Sequence, residues 1–96
     1  MKVPVIESHN FNVHYEHHDG LTWIHCDVFR YNKSVREELL MGMRLLMTLR
    51  ETPLMALHEH GDSKHKKFLK MLGFCYQQTN LCVDGQARDI YRKEVI

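Results

Sequence analysis

Apolar and polar positions alternate along the first part of the chain, and this alternation predicts strands. Over residues 11–18 the odd positions are aromatic or branched, apart from the last, and the even ones are polar. A period of two places successive side chains on opposite faces, which predicts a strand with one polar face. Asp19-Gly20 follows, and residues 21–29 are predicted to form the returning strand, because Asp-Gly between two such runs favours a type I′ hairpin turn.

The apolar spacing becomes helical beyond residue 33. Apolar residues recur three or four positions apart and predict a helix over residues 35–50. Ser34 is predicted to cap its N-terminus, with Glu37 reaching back in a capping box. Met41, Leu45 and Leu49 widen the apolar face, so we expect this helix to be covered on most sides.

The second half of the chain repeats these signals in shorter segments. The pattern predicts a strand over residues 54–60, a helix over 63–72, and two strands over 74–83 and 86–95. Gly73 stands where a helix C-cap glycine belongs, and Asp84-Gly85 marks a second hairpin. Residues 1–10 are predicted to be an irregular lead-in, with a short strand over 3–7 left open. The predicted order is therefore β-β-α-β-α-β-β, an α/β fold with a parallel strand pair around the first helix.

Length and composition limit the class of protein. A chain of 96 residues predicts one domain over residues 1–96. A domain of this size buries only about two thirds of its unfolded surface, which makes a partner subunit plausible. The formal net charge of +1 provides no strong field toward nucleic acid or membrane, and no apolar stretch approaches roughly 18 residues. Three cysteines without a CxxC pair indicate a reduced, cytoplasmic setting.

The helix that ends in Lys-Met-Leu-Gly-Phe at residues 70–74, together with the order of elements, resembles the GNAT superfamily of acyl-CoA N-acyltransferases. The resemblance covers about residues 11–96, and the family's N-terminal strand and two helices are missing. It implies a GNAT-like mixed β-sheet. More narrowly, residues 63–74 with Asp84-Gly85-Gln86 resemble the GNAT-like proteins of tailed bacteriophages, including internal virion proteins of podoviruses, which are structural members with this fold.

The resemblance implies acetyl-CoA as the cofactor and a loop that would hold its pyrophosphate. In the family, glycines in this loop allow close backbone approach, and helix N–H groups bind the anion. The matching stretch here follows Val28 and contains Arg30, Lys33, Ser34 and Arg36, with Ser34 and Arg36 at the two glycine positions. Two interpretations stay open: a basic anion-binding loop, or an ordinary capped helix with a solvated basic start.

The same resemblance implies where catalytic groups would lie. Many members carry a tyrosine acid four residues before the glycine of the last motif, and Leu69 occupies that position here. His25 and Asp27 alternate on the second strand and share a face, so either side chain is a candidate base for an acceptor amine. The alternative is a strand that simply has one polar face.

Eight histidines raise the question of a metal site, since imidazole is a common zinc ligand. His58 and His60 share a predicted strand face, and His14 and His25 are predicted cross-strand neighbours. Neither an HExxH motif nor a finger-type spacing is present, so we assign no metal site. The lysines of residues 64–70 are predicted to form a solvated helix face, because aromatic residues are not interleaved with them as single-strand nucleic-acid binding requires.

Two functions from different classes follow from the resemblance. One is a catalytically degenerate phage-type protein that acts in virion assembly or binds a host protein, in the virion or the host cytoplasm. The alternative is a minimal acetyl-CoA-dependent N-acetyltransferase. In both cases the missing N-terminal elements leave a sheet edge and apolar surface to cover, so we expect a protein partner or a homo-oligomer rather than a membrane or nucleic acid.

Overall fold

The computed structural model describes residues 2–59 and 62–95, and within them it contains six strands and two helices. The elements in chain order are β1 Lys2–Glu7, β2 Phe11–His18, β3 Leu21–Val28, α1 Lys33–Thr48, β4 Leu54–Glu59, α2 Ser63–Met71, β5 Cys75–Leu81 and β6 Ala87–Lys93. The α/β class is confirmed. The element order gains one strand, because β1 occupies most of the stretch that was predicted to be an irregular lead-in. The expectation that no N-terminal strand precedes the first hairpin was therefore wrong, whereas no helix precedes it in the described residues.

All six strands form one mixed sheet in the order β1-β2-β3-β4-β6-β5. Neighbouring strands are antiparallel except β3 and β4, which are parallel as predicted. The last strand, β6, lies between β4 and β5. The parallel pair is short, because its register includes only Thr22 opposite Leu54 and Trp23 opposite Met55. Beyond these residues β3 and β4 continue without pairing to each other.

Both helices pack on one face of the sheet. The core joins apolar residues of α1 and α2 to alternate residues of β2, β3, β4 and β6, as the period-two pattern requires. The buried members are Phe11, Val13, Ile24, Val35, Leu39, Met43, Met47, Leu54, Ala56, Leu69, Leu72, Phe74 and Tyr91. The opposite face of the central strands includes His14, Glu16, Trp23 and His25 and is covered by neither α1 nor α2. In the described part of the chain, no helix is long and apolar enough to span a membrane.

The α1 helix begins earlier than predicted. Asn32, not Ser34, is its N-cap: the Asn32 side-chain oxygen accepts a hydrogen bond from the Val35 backbone N–H at 2.9 Å. Asparagine and serine are about equally good N-caps, so local preference does not choose between two such residues two positions apart. Ser34 therefore lies in the first turn of the helix, and Glu37 is exposed rather than closing a capping box with it.

The outer side of α1 is exposed, which corrects the prediction of a helix covered on most sides. Met41, Leu45 and Leu49 are 73%, 60% and 76% exposed, although their spacing is apolar and helical. Only the stripe that faces the sheet is buried, because the structure has a single sheet layer beneath α1 and nothing in the described residues above it. These three residues form a solvent-facing apolar stripe, which we call the α1 outer stripe.

Both predicted hairpins form, with different turns. Asp19 and Gly20 have φ values of 53° and 75°, as a type I′ turn requires. In the second hairpin only Gly85 has a positive φ, 80°. There the Cys82 N–H donates to the Gln86 carbonyl at 2.9 Å, which closes a longer loop instead of a two-residue turn. Gly73 has φ 91° after α2, confirming it as the glycine that ends this helix.

Candidate functional site

A cavity of about 760 Å³ lies where β3 and β4 separate. Its walls come from residues 24–28 of β3 and from Ala56 and Leu57 of β4. Residues of α2, among them Phe68 and Leu69, close its helix side. Because the two strands are parallel and joined through α1, the cavity is at their carboxyl ends, the position where open α/β sheets most often bind ligands. We call it the β3/β4 cleft.

The strand edges that face the cleft carry unpaired backbone groups. β3 is fully paired with β2 on its other edge, and β4 with β6. In the described chain no strand pairing joins residues 24–28 to residues 56–59, since the parallel register stops at Trp23 and Met55. Backbone N–H and C=O groups at such edges are strong hydrogen-bonding groups. An extended ligand that carries amides can therefore pair with both edges.

The start of α1 lies close to the end of α2. The Tyr31 hydroxyl and the Arg36 Nε both donate to the Met71 sulfur, at 3.3 Å and 3.1 Å. Tyr31 also meets the ring of Phe68 edge-on, with 6.4 Å between ring centroids. Since Phe68 lines the cleft, these contacts bring the N-terminus of α1 toward the mouth of the cleft.

The five residues predicted to bind the cofactor do not all occupy the same place. Val28 lines the cleft. Arg30, Lys33, Ser34 and Arg36 are exposed in the loop and first helical turn that follow, and they do not line the cavity itself. The structure thus separates the cavity, whose lining is partly apolar and partly polar, from a basic helix start. Lys64 at the start of α2 adds a further positive charge to the cavity lining.

The two residues predicted as candidate bases both line the cleft. His25 is half-buried, and its Nε2 lies 2.9 Å from the Glu16 Oε1 on β2. Asp27 is exposed, two residues farther along β3. His14 lies directly across from His25 in the β2/β3 register, which confirms the predicted cross-strand pair. The structure therefore groups an imidazole pair and two carboxylates on the uncovered face of the sheet.

Glu16 is a site residue that the sequence analysis missed. A two-residue Asp19-Gly20 turn fixes the register of the hairpin, and that register places Glu16 opposite Trp23 and His14 opposite His25. Glu16 and His25 are then diagonal neighbours on one face, within reach of long side chains. The hydrogen bond from His25 holds the pKa of the Glu16 carboxyl below its usual value, so this carboxylate is ionised at neutral pH.

Cys26 lies between the candidate bases but points to the helix side of the sheet. Burial, reinforced by the negative charge of Asp27, raises the pKa of the Cys26 thiol to about 11. The thiol is therefore protonated at neutral pH, and a thiol rather than a thiolate is a poor nucleophile. Although Cys26 lines the cleft, it is unsuited to hold a covalent intermediate.

This raised pKa predicts slow alkylation of Cys26. With iodoacetamide at pH 7.5, exposed Cys75 is expected to react first, and Cys26 is expected to react at least tenfold more slowly because little thiolate is present. Raising the pH toward 10 should speed the modification of Cys26. Peptide mass mapping over time measures each site separately. Equal rates at Cys26 and Cys75 at pH 7.5 would contradict the prediction.

No tyrosine lines the cleft among the described residues. The position at which the resemblance implies an acid is Leu69, which is 4% exposed and forms part of the cavity wall. The Tyr31 hydroxyl is hydrogen-bonded to the Met71 sulfur, and the Tyr76 hydroxyl is hydrogen-bonded to the Thr79 hydroxyl on the edge strand β5. The site therefore offers a candidate base but lacks the tyrosine acid.

His58 belongs to a buried polar network on the helix face. It is 2% exposed, and its Nδ1 lies 2.8 Å from the Nδ1 of His65 on α2. Its Nε2 lies 3.9 Å from Asp89, which accepts a hydrogen bond from the Thr79 hydroxyl at 2.6 Å. His60, predicted to share a face with His58, lies outside the described residues. Among the described residues no group of three or more His, Cys, Asp or Glu side chains is arranged to hold a metal ion.

The network connects α2 to the sheet beside the cleft. An Nδ1–Nδ1 hydrogen bond needs one nitrogen as donor and the other as acceptor, so only one of the two Nδ1 atoms carries a hydrogen. His65 also lines the cleft. We therefore interpret the contact between His58 and His65 as a packing element that positions one wall of the cavity.

A scan against protein-family models finds none that matches this chain, and a search of curated proteins finds no match either.

Proposed function

We propose that the protein binds an acyl-CoA in the β3/β4 cleft and transfers its acyl group to an amine, as a minimal GNAT-like N-acyltransferase. The observation that supports this most directly is the separation of β3 and β4 beyond Trp23 and Met55. It creates a cavity between two unpaired strand edges, next to the N-terminus of a 16-residue helix. A slot with apolar side chains on its helix side and a basic helix start together suit a ligand with an extended arm and phosphates.

The cavity fits the pantetheine arm of such a ligand in size and chemistry. Its volume of about 760 Å³ lies within the usual range of roughly 300–1,000 Å³ for small-molecule sites. The wall side chains Ile24, Ala56 and Leu69 are apolar and suit a hydrocarbon chain. The free edges of β3 and β4 supply backbone groups for the amides of the arm.

The basic residues at the start of α1 suit the phosphates. Arg30, Lys33 and Arg36 carry positive charge beside the N-terminus of α1, where the helix dipole also favours an anion. Ser34 and Arg36 replace the glycines of the family's loop, and both side chains are exposed. Because the Arg36 guanidinium contacts the Met71 sulfur, it lies beside the helix start as a charge rather than filling the cavity.

The site's own groups supply a base and no tyrosine acid. A bound acyl-CoA would provide an activated thioester whose leaving group is a thiolate. His25 faces the cleft and can take a proton from an attacking amine. A thiol ionises near pH 8.5, so its thiolate leaves more readily without help from an acid than an alkoxide or amide does. The aliphatic side chain of Leu69 is therefore compatible with slow transfer.

Titration with acetyl-CoA tests the proposal. Ligand binding to the folded state should raise the melting temperature, by a stabilisation of about 2.7 kcal/mol at a ligand concentration of 100 times Kd. Isothermal calorimetry should give one site per chain. Adenosine 3′,5′-bisphosphate, which lacks the pantetheine arm, is the control and should bind more weakly. No change in melting temperature at millimolar acetyl-CoA would overturn the proposal.

A second candidate is the catalytically degenerate phage-type protein that acts by binding a host or virion protein. The observation that favours it is apolar surface without a cover: the α1 outer stripe, and Leu57, which is 44% exposed on the sheet face that carries no helix. A protein of this kind would be found in the virion or the host cytoplasm, bound to a protein partner or to itself. This candidate is favoured if millimolar acetyl-CoA leaves the melting temperature unchanged and the protein either self-associates in light scattering or is found in purified virions.

A further inference from the structure

We infer that Glu16 is a positioning residue that fixes the ring of His25 in one tautomer, with Nε2 protonated and the Nδ1 lone pair left for the acceptor amine. The part of this inference that concerns the ring rests only on the geometry of the free protein. The part that concerns transfer rests on the proposed function.

The geometry brings the two side chains together at the cleft. The Glu16 Oε1 lies 2.9 Å from the His25 Nε2, and both side chains are about one third exposed. The two-residue hairpin turn holds β2 and β3 in a continuous eight-pair register, so their relative position is rigidly set. A second exposed pair, His18 with Asp19 at 3.2 Å, sits at the hairpin tip and does not line the cleft. It provides a matched comparison within the same hairpin.

The charge state of Glu16 determines which ring nitrogen carries hydrogen. An ionised carboxylate can only accept hydrogen bonds, so the Nε2 that faces it must be the donor. A neutral imidazole carries one ring hydrogen, and Nδ1 is then left with its lone pair. The charged and titratable groups beside the pair are His14 across the strands, Asp27 on the same face, and Lys2 of β1, opposite Glu16. This use of a carboxylate to set a histidine tautomer is a general device in which the outer group orients the ring that does the chemistry.

The carboxylates also indicate the class of acceptor. Glu16 and Asp27 place two negative charges on the open face beside His25, and Lys2, opposite Glu16 on β1, offsets one of them. The remaining negative charge favours a cationic primary amine. The bound ammonium first loses one proton to water, and in the transfer step the resulting neutral amine nitrogen forms a C–N bond with the acyl carbon. The C–S bond breaks with its electron pair on sulfur, and the proton lost by nitrogen goes to His25 Nδ1. The thiolate takes its proton from water.

Nitrogen-15 NMR of the free protein tests the tautomer directly. In the wild-type protein at mildly alkaline pH, His25 Nδ1 should show the chemical shift and couplings of an unprotonated ring nitrogen. Glu16→Ala should give a mixture of both tautomers, whereas Asp19→Asn, which removes the charge of the hairpin-tip pair and keeps a residue that tolerates the positive φ of the turn, should leave His25 unchanged. An unchanged tautomer in Glu16→Ala, or protonated Nδ1 in the wild type, would overturn the inference. Circular dichroism checks that each variant is folded.

Kinetics with acetyl-CoA and a primary amine test the consequence for transfer. Glu16→Ala is expected to lower kcat by about 10–100-fold, the usual effect of removing such an outer group, with KM for acetyl-CoA unchanged. A purely structural role would change KM and stability together with kcat. If the tautomer shifts in Glu16→Ala but the wild type shows no turnover, the proposed function fails while the assignment of Glu16 stands. If kcat is unchanged although the tautomer shifts, the role in transfer is refuted.

Discussion

Replacing Leu54 with alanine is expected to lower the free energy of unfolding by about 3 kcal/mol. Leu54 is 0% exposed and belongs to the main core cluster. It also stands at the short parallel junction, opposite Thr22 of β3 and Lys93 of β6. The substitution removes buried surface and leaves a cavity that the rigid sheet cannot fill. For a domain of 96 residues this loss is a large part of a total stability of roughly 5–15 kcal/mol.

Leu57→Ala is the control for this prediction. Leu57 lies on the same strand, faces the uncovered side of the sheet and is 44% exposed, so its truncation should cost less than about 1 kcal/mol. Urea denaturation followed by circular dichroism measures both variants. Similar losses for Leu54→Ala and Leu57→Ala would contradict the assignment of the core to the helix face.

Reversing two charges at the start of α1 is expected to raise the Kd for acetyl-CoA by about 100-fold. In Lys33→Glu with Arg36→Glu, each substitution removes a favourable charge near the phosphates, which corresponds to roughly tenfold in affinity per contact. Because both residues are exposed, the fold should be kept. Calorimetric titration at about 0.15 M ionic strength, where the Debye length is about 8 Å, measures the change, and the wild-type affinity should fall as ionic strength rises further.

Arg44→Glu is the matched control, since Arg44 is an exposed arginine two turns farther along the same helix. It should change Kd by less than threefold, because at this distance from the helix start its charge is largely screened. If the double reversal and Arg44→Glu had equal effects, the loop after β3 would be an ordinary solvated helix start. The cleft would then have to bind its ligand without help from the loop.

Both functional candidates depend on the sheet face that carries no helix. With α1 and α2 on one face only, the polar group around His25 is accessible to a large acceptor, since no described helix walls it in. The same open face exposes Leu57. In addition, β1 and β5 are the edge strands of the described sheet, each with a neighbour on one side only. Exposed edges favour pairing with another chain. The accessible residues around His25 and the exposed sheet edges are therefore both consistent with a protein acceptor that docks on this face.

The sequence predicted two features poorly, the strand β1 and the N-cap of α1, because the local preferences of their residues are weak or nearly equal. β1 carries Pro4 and a register shift between Pro4 and Ile6. Proline and bulges are typical of edge strands and interrupt the alternation by which a strand is identified, which is why this segment was predicted to be irregular. At the start of α1, Asn32 and Ser34 are both good N-caps, and the backbone geometry favoured Asn32.

The local order of the chain determined much of the fold by itself. Period-two alternation and Asp19-Gly20 fixed the β2/β3 hairpin, and with it the face shared by His25 and Asp27. The register of that hairpin also implies the proximity of Glu16 to His25. These features depend on residues near each other in the chain, where side-chain period and turn geometry leave few alternatives.

Only the tertiary structure decided where the α1 outer stripe faces and where the cleft forms. Met41 and Leu45 have the spacing of buried residues, and whether they are covered depends on how many layers the domain has. The length of the β3/β4 pairing depends on strands separated by the whole of α1, and no nearby residue encodes the point at which they part. Contacts between distant segments reflect packing of the complete chain, so the candidate site became visible only in the folded structure.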